Sequence, residues 1–339
     1  MLKTQNLILK FIIVLIGCST YGQKLNDGPY VFIEQDHLIQ KDIVEGKVIT
    51  KKLEHSAFPT TYTPQVSVFS DVEKIAALSD IHGQYDLAVE ILINNKIIDQ
   101  EFNWNFGKGH LVIVGDIFDR GLKVNEMLWL VYKLEQQAKA QGGHLHFLLG
   151  NHEYMVLHKD LRYVSQKYLD VAELLNLDYD ELYDNNTILG RWLRSKSTIL
   201  RLNNQVFVHG GISQEFLNTI GFNIEEINAS MRTSIDIDKS ELKSTDFYTN
   251  YYGKNGPIWY RGYFTDKLED AIIDDVLLKT NSEHIVVGHC SFDEIIRVYD
   301  GKIYGVDSSI KKGAYGEILF IENGIYSRGL KDGTRKEFE

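Results

Sequence analysis

Five apolar runs recur along the chain, each stopping on polar or metal-capable residues: "KIAALSD", "HLVIVGD", "LHFLLGNH", "QVFVHGG" and "HIVVGH". Their unbroken apolar character predicts strands covered on both faces. Stretches of helical periodicity lie between several of them, including 85–98 and 123–140. Alternating strands and helices predict an α/β core with a buried sheet. Residues at the carboxyl ends of such strands are where open α/β sheets build sites. Residues 24–72 differ, with short strand-like pieces ("PYVFIEQ", "KVITKKL") separated by glycine-containing turns. Between Glu153 and Arg201 the pattern is largely helical and predicts an insertion that caps or borders a site. Residues 213–256 are polar and rich in Asn, Ser and Thr, and read as a helix plus a surface loop. Turn signals in "YDGK" (299–302) and "ENG" (322–324) predict two hairpins near the end.

Composition adjusts this picture only slightly. A chain of 339 residues accommodates one large domain or two modest ones. A hydrophobic content of 44% with 24% charged residues fits a folded globular protein rather than a disordered one. The formal charge of −11 argues against nucleic-acid binding, which needs a basic face. It leaves phosphate-bearing substrates open, because a bound metal reverses the local field.

The first 22 residues form a separate unit. Lys3 and Lys10 precede an apolar run from Phe11 to Ile16, followed by small residues, which is the order of an export signal. The run is too short to span a bilayer, which takes about 20 apolar residues. Two cuts fit: a lipoprotein-type box ending at Cys18, which would become a lipid anchor, or cleavage ahead of Gln23. Loss of residues 1–22 removes two lysines and no acid, taking the formal charge from −11 to −13. The expected organisation is a signal peptide at 1–22, a β-rich extension at 23–72 and the main domain at 73–339. The expected location is the periplasm or a lipid-anchored position on a bacterial membrane. Cys18 and Cys290 are the two cysteines, and Cys18 is cleaved off or lipidated, so no intramolecular disulfide is expected.

The strand ends collect the candidate chemistry: Asp80 and His82 in "SDIHG", Asp116 in "GDIFDRG", Asn151 in "GNHE", His209 in "VHGG" and His289 in "GHC". Singly, each has an ordinary structural reading as a turn or a satisfied core histidine. Jointly, each following an apolar run, they point to a metal site. Carboxylate and imidazole ligands suit Mn, Fe or Zn in a mixed oxygen and nitrogen shell, with Mg also compatible. A carboxylate can bridge two metals, and Asp116, central in the motif order, is the natural bridge.

The motifs "DIHG", "GDIFDRG", "GNHE", "HGGIS" and the late "GH" resemble the signature set of the phosphoprotein phosphatase family, within the calcineurin-like metallophosphoesterases. "GRWLRSK", "GPIWYRG" and "VVGHC" look similar to its Shewanella-like bacterial branch. The resemblance covers roughly residues 74–310 and implies a β-sandwich flanked by helices, with a helical insertion near the site. It implies a hydrolase with two divalent metal ions that cleaves phosphorylated Ser/Thr or Tyr side chains of proteins. One metal would take Asp80, His82 and Asp116; the other Asp116, Asn151, His209 and His289. A hydroxide between them would attack phosphorus in line. His152 would protonate the leaving oxygen, Asp119 would orient His152, and Arg120 would clamp phosphate. Arg261 in "WYRG" is a further phosphate-binding candidate. Arg191 and Arg194 are candidates with an equal claim to pairing with surface acids. Trp192 and Trp259 could wall the pocket or belong to the core, and Cys290 could be oxidation-sensitive or a buried filler.

This sequence has Ser79 where the family usually has glycine before the first aspartate, a change expected to matter little. It also has Cys290 after the last histidine, where a hydroxyl residue is common. Two other functions compete. Hydrolysis of dinucleoside polyphosphates or phosphodiesters fits the same scaffold, although "GNHE" and "HGG" lean toward the phosphatase pattern. A non-catalytic surface lipoprotein is opposed by the presence of every mapped ligand and of His152.

Overall fold

The computed structural model describes residues 25–338. The expected leader at 1–22, with Cys18, lies outside them. Two six-stranded sheets pack face to face. The first runs, edge to edge, Arg335–Glu337, Ile325–Leu330, Glu317–Glu322, Lys74–Leu78, His110–Ile113 and His144–Phe147. The second runs Ile296–Val298, Ile303–Gly305, His284–Val287, Gln205–Val208, Ile199–Leu202 and Val68–Phe69.

Side-chain alternation explains why these strands read as continuous apolar runs. Ile75, Ala77, Val112, Leu319 and Ile321 of the first sheet meet Leu200, Leu202, Phe207 and Val286 of the second in the core between the sheets. The intervening residues, such as Ala76, Leu78, Leu111 and Ile113, face the opposite way into the larger core under the helices. The central strands, such as His110–Ile113 and Gln205–Val208, are therefore buried on both faces, while edge strands such as Arg335–Glu337 are exposed. Helices Tyr85–Asn94 and Val124–Ala140 occupy the two predicted helical stretches.

Parallel pairing puts the important strand ends together. Lys74–Leu78, His110–Ile113 and His144–Phe147 run parallel in one sheet. Gln205–Val208 and His284–Val287 run parallel in the other. The site is built from the loops that leave these five strands at their carboxyl ends, as expected for a sheet of this kind.

The stretch 153–201 is largely helical as read, with Asn151–Leu157, Gln166–Leu175, the 3-10 turn Tyr179–Tyr183 and Ile188–Leu193, and it ends in the strand Ile199–Leu202. Both hairpins form, Ile296–Val298 with Ile303–Gly305 and Glu317–Glu322 with Ile325–Leu330. Residues 213–256 depart from expectation: they make four short helices, Gln214–Ile220, Ile224–Ser234, Lys239–Leu242 and Asp246–Tyr252. The polar residues that read as loop are the helix caps. Ser213, Asn223, Asp238 and Thr245 each accept a backbone N–H of the helix they open.

Asp27–Ile33, His37–Val44 and Lys47–Glu54 form a separate antiparallel meander. It is fastened to the helices: Trp129 Nε1 donates to the Pro29 carbonyl (2.8 Å), and Lys167 Nζ pairs with Asp27 (2.7 Å). Val68–Phe69, from the same N-terminal stretch, is an edge strand of the second sheet, pairing with Arg201 and Leu202.

Candidate metal centre and active site

The five loops are bent tightly enough to bring charged groups into a small space. Asp80, His82, Asp116, Asp119, Arg120 and His289 all have φ between 45° and 70°. That left-handed region is uncommon for residues other than glycine, and clusters of it mark sites where structure holds strain for a purpose. Glycine is needed beside them: a Cβ on Gly150 would sit 2.3 Å from Asp116 Oδ1, and one on Gly115 would sit 2.6 Å from His209 Nδ1.

Each carboxylate has one oxygen tied to the fold and one turned inward. Asp116 Oδ1 accepts the backbone N–H of His152 (3.0 Å). Its Oδ2 lies 3.2 Å from His209 Nε2, 3.6 Å from His82 Nε2 and 3.9 Å from His152 Nε2. Asp80 Oδ2 accepts from Ser79 Oγ (2.7 Å) and from the backbone N–H of His289 (2.9 Å), leaving Oδ1 3.8 Å from His82 Nε2. The imidazoles are oriented in the same manner. His82 Nδ1 donates to the Phe118 carbonyl and His209 Nδ1 to the Val114 carbonyl, each at 2.7 Å. A carbonyl only accepts, so these bonds place the proton on Nδ1 and aim Nε2 inward.

The cluster fits metal ions. His82 Nε2 and His289 Nε2 are buried with no hydrogen-bond partner, an arrangement that costs stability unless a cation takes the lone pair. Two overlapping groups, His82/Asp116/His152 and Asp116/His209/His289, each bring their donor atoms within 4.8 Å of one another and share Asp116. Asn151 Oδ1 converges on the same point, 2.9 Å from His209 Nε2. The donor set of carboxylate and amide oxygen with imidazole nitrogen suits divalent transition ions.

Electrostatics agree with geometry. Burial opposes ionisation of Asp116, but His209, His152 and His82 hold its carboxyl well below the usual range. Asp80 is likewise held low against burial, by His82 and His209. Burial also opposes protonation of His209, yet the Asp116 and Asp80 charges push it up to about 10. His289 is pushed down to about 3 by burial and by the His209 charge, which keeps it a neutral donor.

His152 differs from the other imidazoles. Its Nδ1 is 2.5 Å from Asp119 Oδ2, and its Nε2 lies 3.4 Å from Arg120 Nη2. Burial lowers its proton affinity, but the Asp116 and Asp119 carboxylates outweigh burial and the Arg120 charge, and its pKa rises.

Asp80, His82, Asp116, Asn151, His152, His289, Arg120 and Arg261 line one cavity of about 220 Å³, with His209 buried beside it. Trp259 walls the cavity, its ring 5.4 Å from that of His289. Two expectations need correction, and two open alternatives are decided. Arg191 and Arg194 are not at the cavity. Arg191 donates to the carbonyls of Asn185 and Thr60, and Arg194 to those of Tyr183 and Gly190 and to Asp236. Both guanidiniums hold the inserted helices. Trp192 is core, its Nε1 donating to Glu135. Ser79 is more than a turn residue, since its hydroxyl fixes Asp80 and stands against Gly288. Cys290 is buried and its thiol is pushed up by burial, which favours an inert filler over a reactive thiolate.

Other contributors were not singled out in the sequence. Glu153 is fully buried, and its carboxylate accepts the backbone N–H groups of Asp116, Ile117, Phe118 and Gly150. It locks two catalytic loops together, and its signal was the Glu of "GNHE" itself. Tyr163, from the helical insertion, carries the Arg120 guanidinium over its ring at 5.4 Å. Ser291 and Lys311 also line the cavity, and no motif marked them.

The family model described as calcineurin-like phosphoesterase matches residues 73–302. The fold is similar to the solved structure of a cold-active protein-tyrosine phosphatase of a psychrophilic Shewanella species, with a TM-score of 0.88 and 41% identity. That match covers 93% of this chain and 99% of the other. Shewanella-like protein phosphatase 2 of Arabidopsis thaliana is 24% identical over 292 residues, covering 72% of this chain and 73% of that protein. Shewanella-like protein phosphatase 1 of Plasmodium berghei is 27% identical over 223 residues, covering 64% of this chain and 60% of that one.

Proposed function

The chain belongs to the calcineurin-like phosphoesterase family, and we propose that it is a dimetal protein phosphatase hydrolysing phosphomonoesters on protein side chains. The observation that carries this reading is the pair His152–Asp119 beside a shared carboxylate oxygen, Asp116 Oδ2, ringed by imidazoles. The pair supplies a proton donor for an alkoxide or phenolate leaving group; the ring supplies cation ligands.

Asp80, His82, Asp116, Asn151, His209 and His289 would hold the two ions, with Mn, Fe or Zn suiting the donors and Mg compatible. When bound, such ions neutralise phosphoryl charge and make a water acidic enough to react near neutral pH. The remaining work belongs to the chain. Arg120, braced over Tyr163, and Arg261 bind phosphoryl oxygens through their planar forks. Asp119 holds Nδ1 of His152, so that Nε2 faces the cavity and passes its proton to the leaving oxygen. Trp259 and Tyr163 wall the space in which the phosphorylated side chain sits.

The Shewanella relative carries the name of a protein-tyrosine phosphatase, so phosphotyrosine peptides are the first substrates to assay. The deciding experiment compares phosphotyrosine, phosphoserine and phosphothreonine peptides with diadenosine tetraphosphate, using metal-stripped enzyme reloaded separately with Mn, Fe, Zn and Mg. The expected result is turnover of phosphopeptides. Preference for the dinucleotide overturns the reading in favour of nucleotide hydrolysis.

The proposal extends to location and organisation. The charged, apolar and small-residue order of 1–22 supports export, with cleavage before Gln23 or lipid attachment at Cys18. Residues 73–339 form the catalytic unit in this reading, preceded by the β-rich extension at 23–72. Mass spectrometry of the protein from a bacterial host distinguishes a free Gln23 terminus, a lipidated Cys18 and an uncut chain, and the last outcome removes the export proposal.

A further inference from the structure

Lys311 reaches the catalytic cavity from a part of the chain that carries none of the signature motifs. It lies in the short turn Ile310–Lys312, entered through Ser309 (φ 62°) and left through Gly313 (φ 73°). The turn is tied to its surroundings at two points. Ser309 Oγ donates to the Phe292 carbonyl (2.7 Å), and Gln84 Nε2 donates to the Lys311 carbonyl (3.3 Å). Gln84 directly follows the "DIHG" loop, so the turn is anchored to the segment bearing Asp80 and His82.

The Lys311 side chain is aimed by a buried carboxylate. Asp307 is fully buried; its Oδ2 accepts from Ser291 Oγ (2.5 Å) and from Lys311 Nζ (3.2 Å), and its Oδ1 accepts the backbone N–H of Ser309 (3.0 Å). Ser291 and Lys311 both line the cavity that Asp80, Arg120 and Arg261 line. Lys312, the next residue, pairs instead with Asp293 at the surface. Adjacent lysines thus have different surroundings, and the difference is the buried Asp307.

We propose that Lys311, positioned by Asp307 and Ser291, is a third cationic side chain of the cavity and binds the phosphoryl group of the substrate together with Arg120 and Arg261. This rests on reading the cavity as a phosphomonoester site. An ammonium has three donors, and the contact with Asp307 uses one, leaving two for phosphoryl oxygens. Neutralising Asp307 alone does not account for the placement. Ser291 and the Ser309 amide already satisfy that carboxylate in part, and a purely compensating lysine has no need to face the cavity. The ammonium adds a compact charge where the arginines add planar forks.

The test uses the metal-loaded, full-length protein and inorganic phosphate as the probe, read by calorimetry without turnover. Lys311→Met should weaken phosphate binding about tenfold, the size of one charge-assisted hydrogen bond, with metal content and thermal midpoint unchanged. KM for p-nitrophenyl phosphate should rise in proportion, with a smaller change in kcat, and Lys311→Arg should recover part of the loss. Asp307→Asn should weaken phosphate binding in the parent protein and add nothing in the Lys311→Met background, which separates positioning from a general structural effect. Unchanged phosphate affinity in Lys311→Met, or additive effects of the two changes, overturns the assignment. Preference of the parent enzyme for a dinucleotide is a separate outcome: it overturns the protein-phosphatase reading while the phosphate titration still decides Lys311.

Discussion

Asp116 divides its work between two oxygens, one holding the His152 backbone and one facing three imidazoles. Asp116→Asn keeps an acceptor for the first task and loses the charge needed for the second. Turnover should fall at least ~10²-fold, with fewer than two metal equivalents bound and a cooperative unfolding transition preserved. His152→Asn should behave differently: kcat falls by about 10²–10⁴ while metal analysis still gives the parent content. A variant with unchanged kcat across the pH range removes the proton-donor role. His209 supplies a pH prediction. Burial opposes its protonation, but Asp116 and Asp80 push its pKa up to about 10, so in the metal-free protein it carries a proton at neutral pH. A cation must displace that proton, so metal affinity should rise with pH and binding should release protons. Calorimetry in two buffers of different ionisation heat reads this directly, and equal apparent heats contradict it. The ligand candidates were legible because each ends an apolar run, where a charged residue needs a reason. Arg191 and Arg194 were not, because a long guanidinium can reach several partners and only the packed insertion selects carbonyls over the cavity.

At the scale of elements, the strands were legible and the short helices were not. Continuous apolar runs have one good explanation, burial on both faces, and the two sheets bear it out. Between 213 and 256 the same residue types serve turns and caps, so Ser213, Asn223 and Thr245 read as loop until their hydrogen bonds to following amides are seen. Thr245→Ala should therefore cost about 1 kcal/mol, measured as a shift in urea midpoint, with Thr245→Ser recovering most of it. The amino ends of two catalytic strands carry a second feature of this kind. His110, His144 and His146 cluster around Phe69, with His146 Nε2 3.0 Å from His110 Nδ1. Burial lowers the His110 pKa from 6.5 to about 4 and pushes that of His146 well below its ordinary value. Below pH 6.5 the unfolded chain takes up protons that the folded chain resists. The stability these residues contribute is complete above that pH and is lost as the pH falls toward 4. Urea midpoints measured from pH 7 to pH 4 should show the decline, and His146→Leu should flatten it.

The whole molecule joins two sets of candidate ligands, Asp80, His82, Asp116 and Asn151 from loops of one sheet and His209 and His289 from loops of the other. Their registration depends on strands that carry no catalytic residue. Glu317–Glu322 pairs with Lys74–Leu78 in the middle of the first sheet, with Leu319 opposite Ala77 and Phe320 opposite Ala76. Leu319 and Ile321 fill the core between the sheets, while Ile318 and Phe320 fill the core under the helices. Buried Glu317 also crosses between sheets: it accepts the Ile295 backbone N–H and pairs with Arg328. The family model ends at residue 302, before Glu317–Glu322 and Arg328. A chain cut after Lys302 would lose four fully buried apolar side chains from this strand alone, worth about 1.5–3 kcal/mol each. That loss is comparable to the whole stability of an ordinary domain, about 5–15 kcal/mol. It would also turn Lys74–Leu78, the strand leading into Asp80, into an unpaired edge. The truncated chain should show no cooperative urea transition and bind no stoichiometric metal, whereas a chain beginning at residue 23 and running to the end should unfold cooperatively and bind metal stoichiometrically. A folded, metal-binding 23–302 fragment would show that the two sets of candidate ligands register without the closing hairpin.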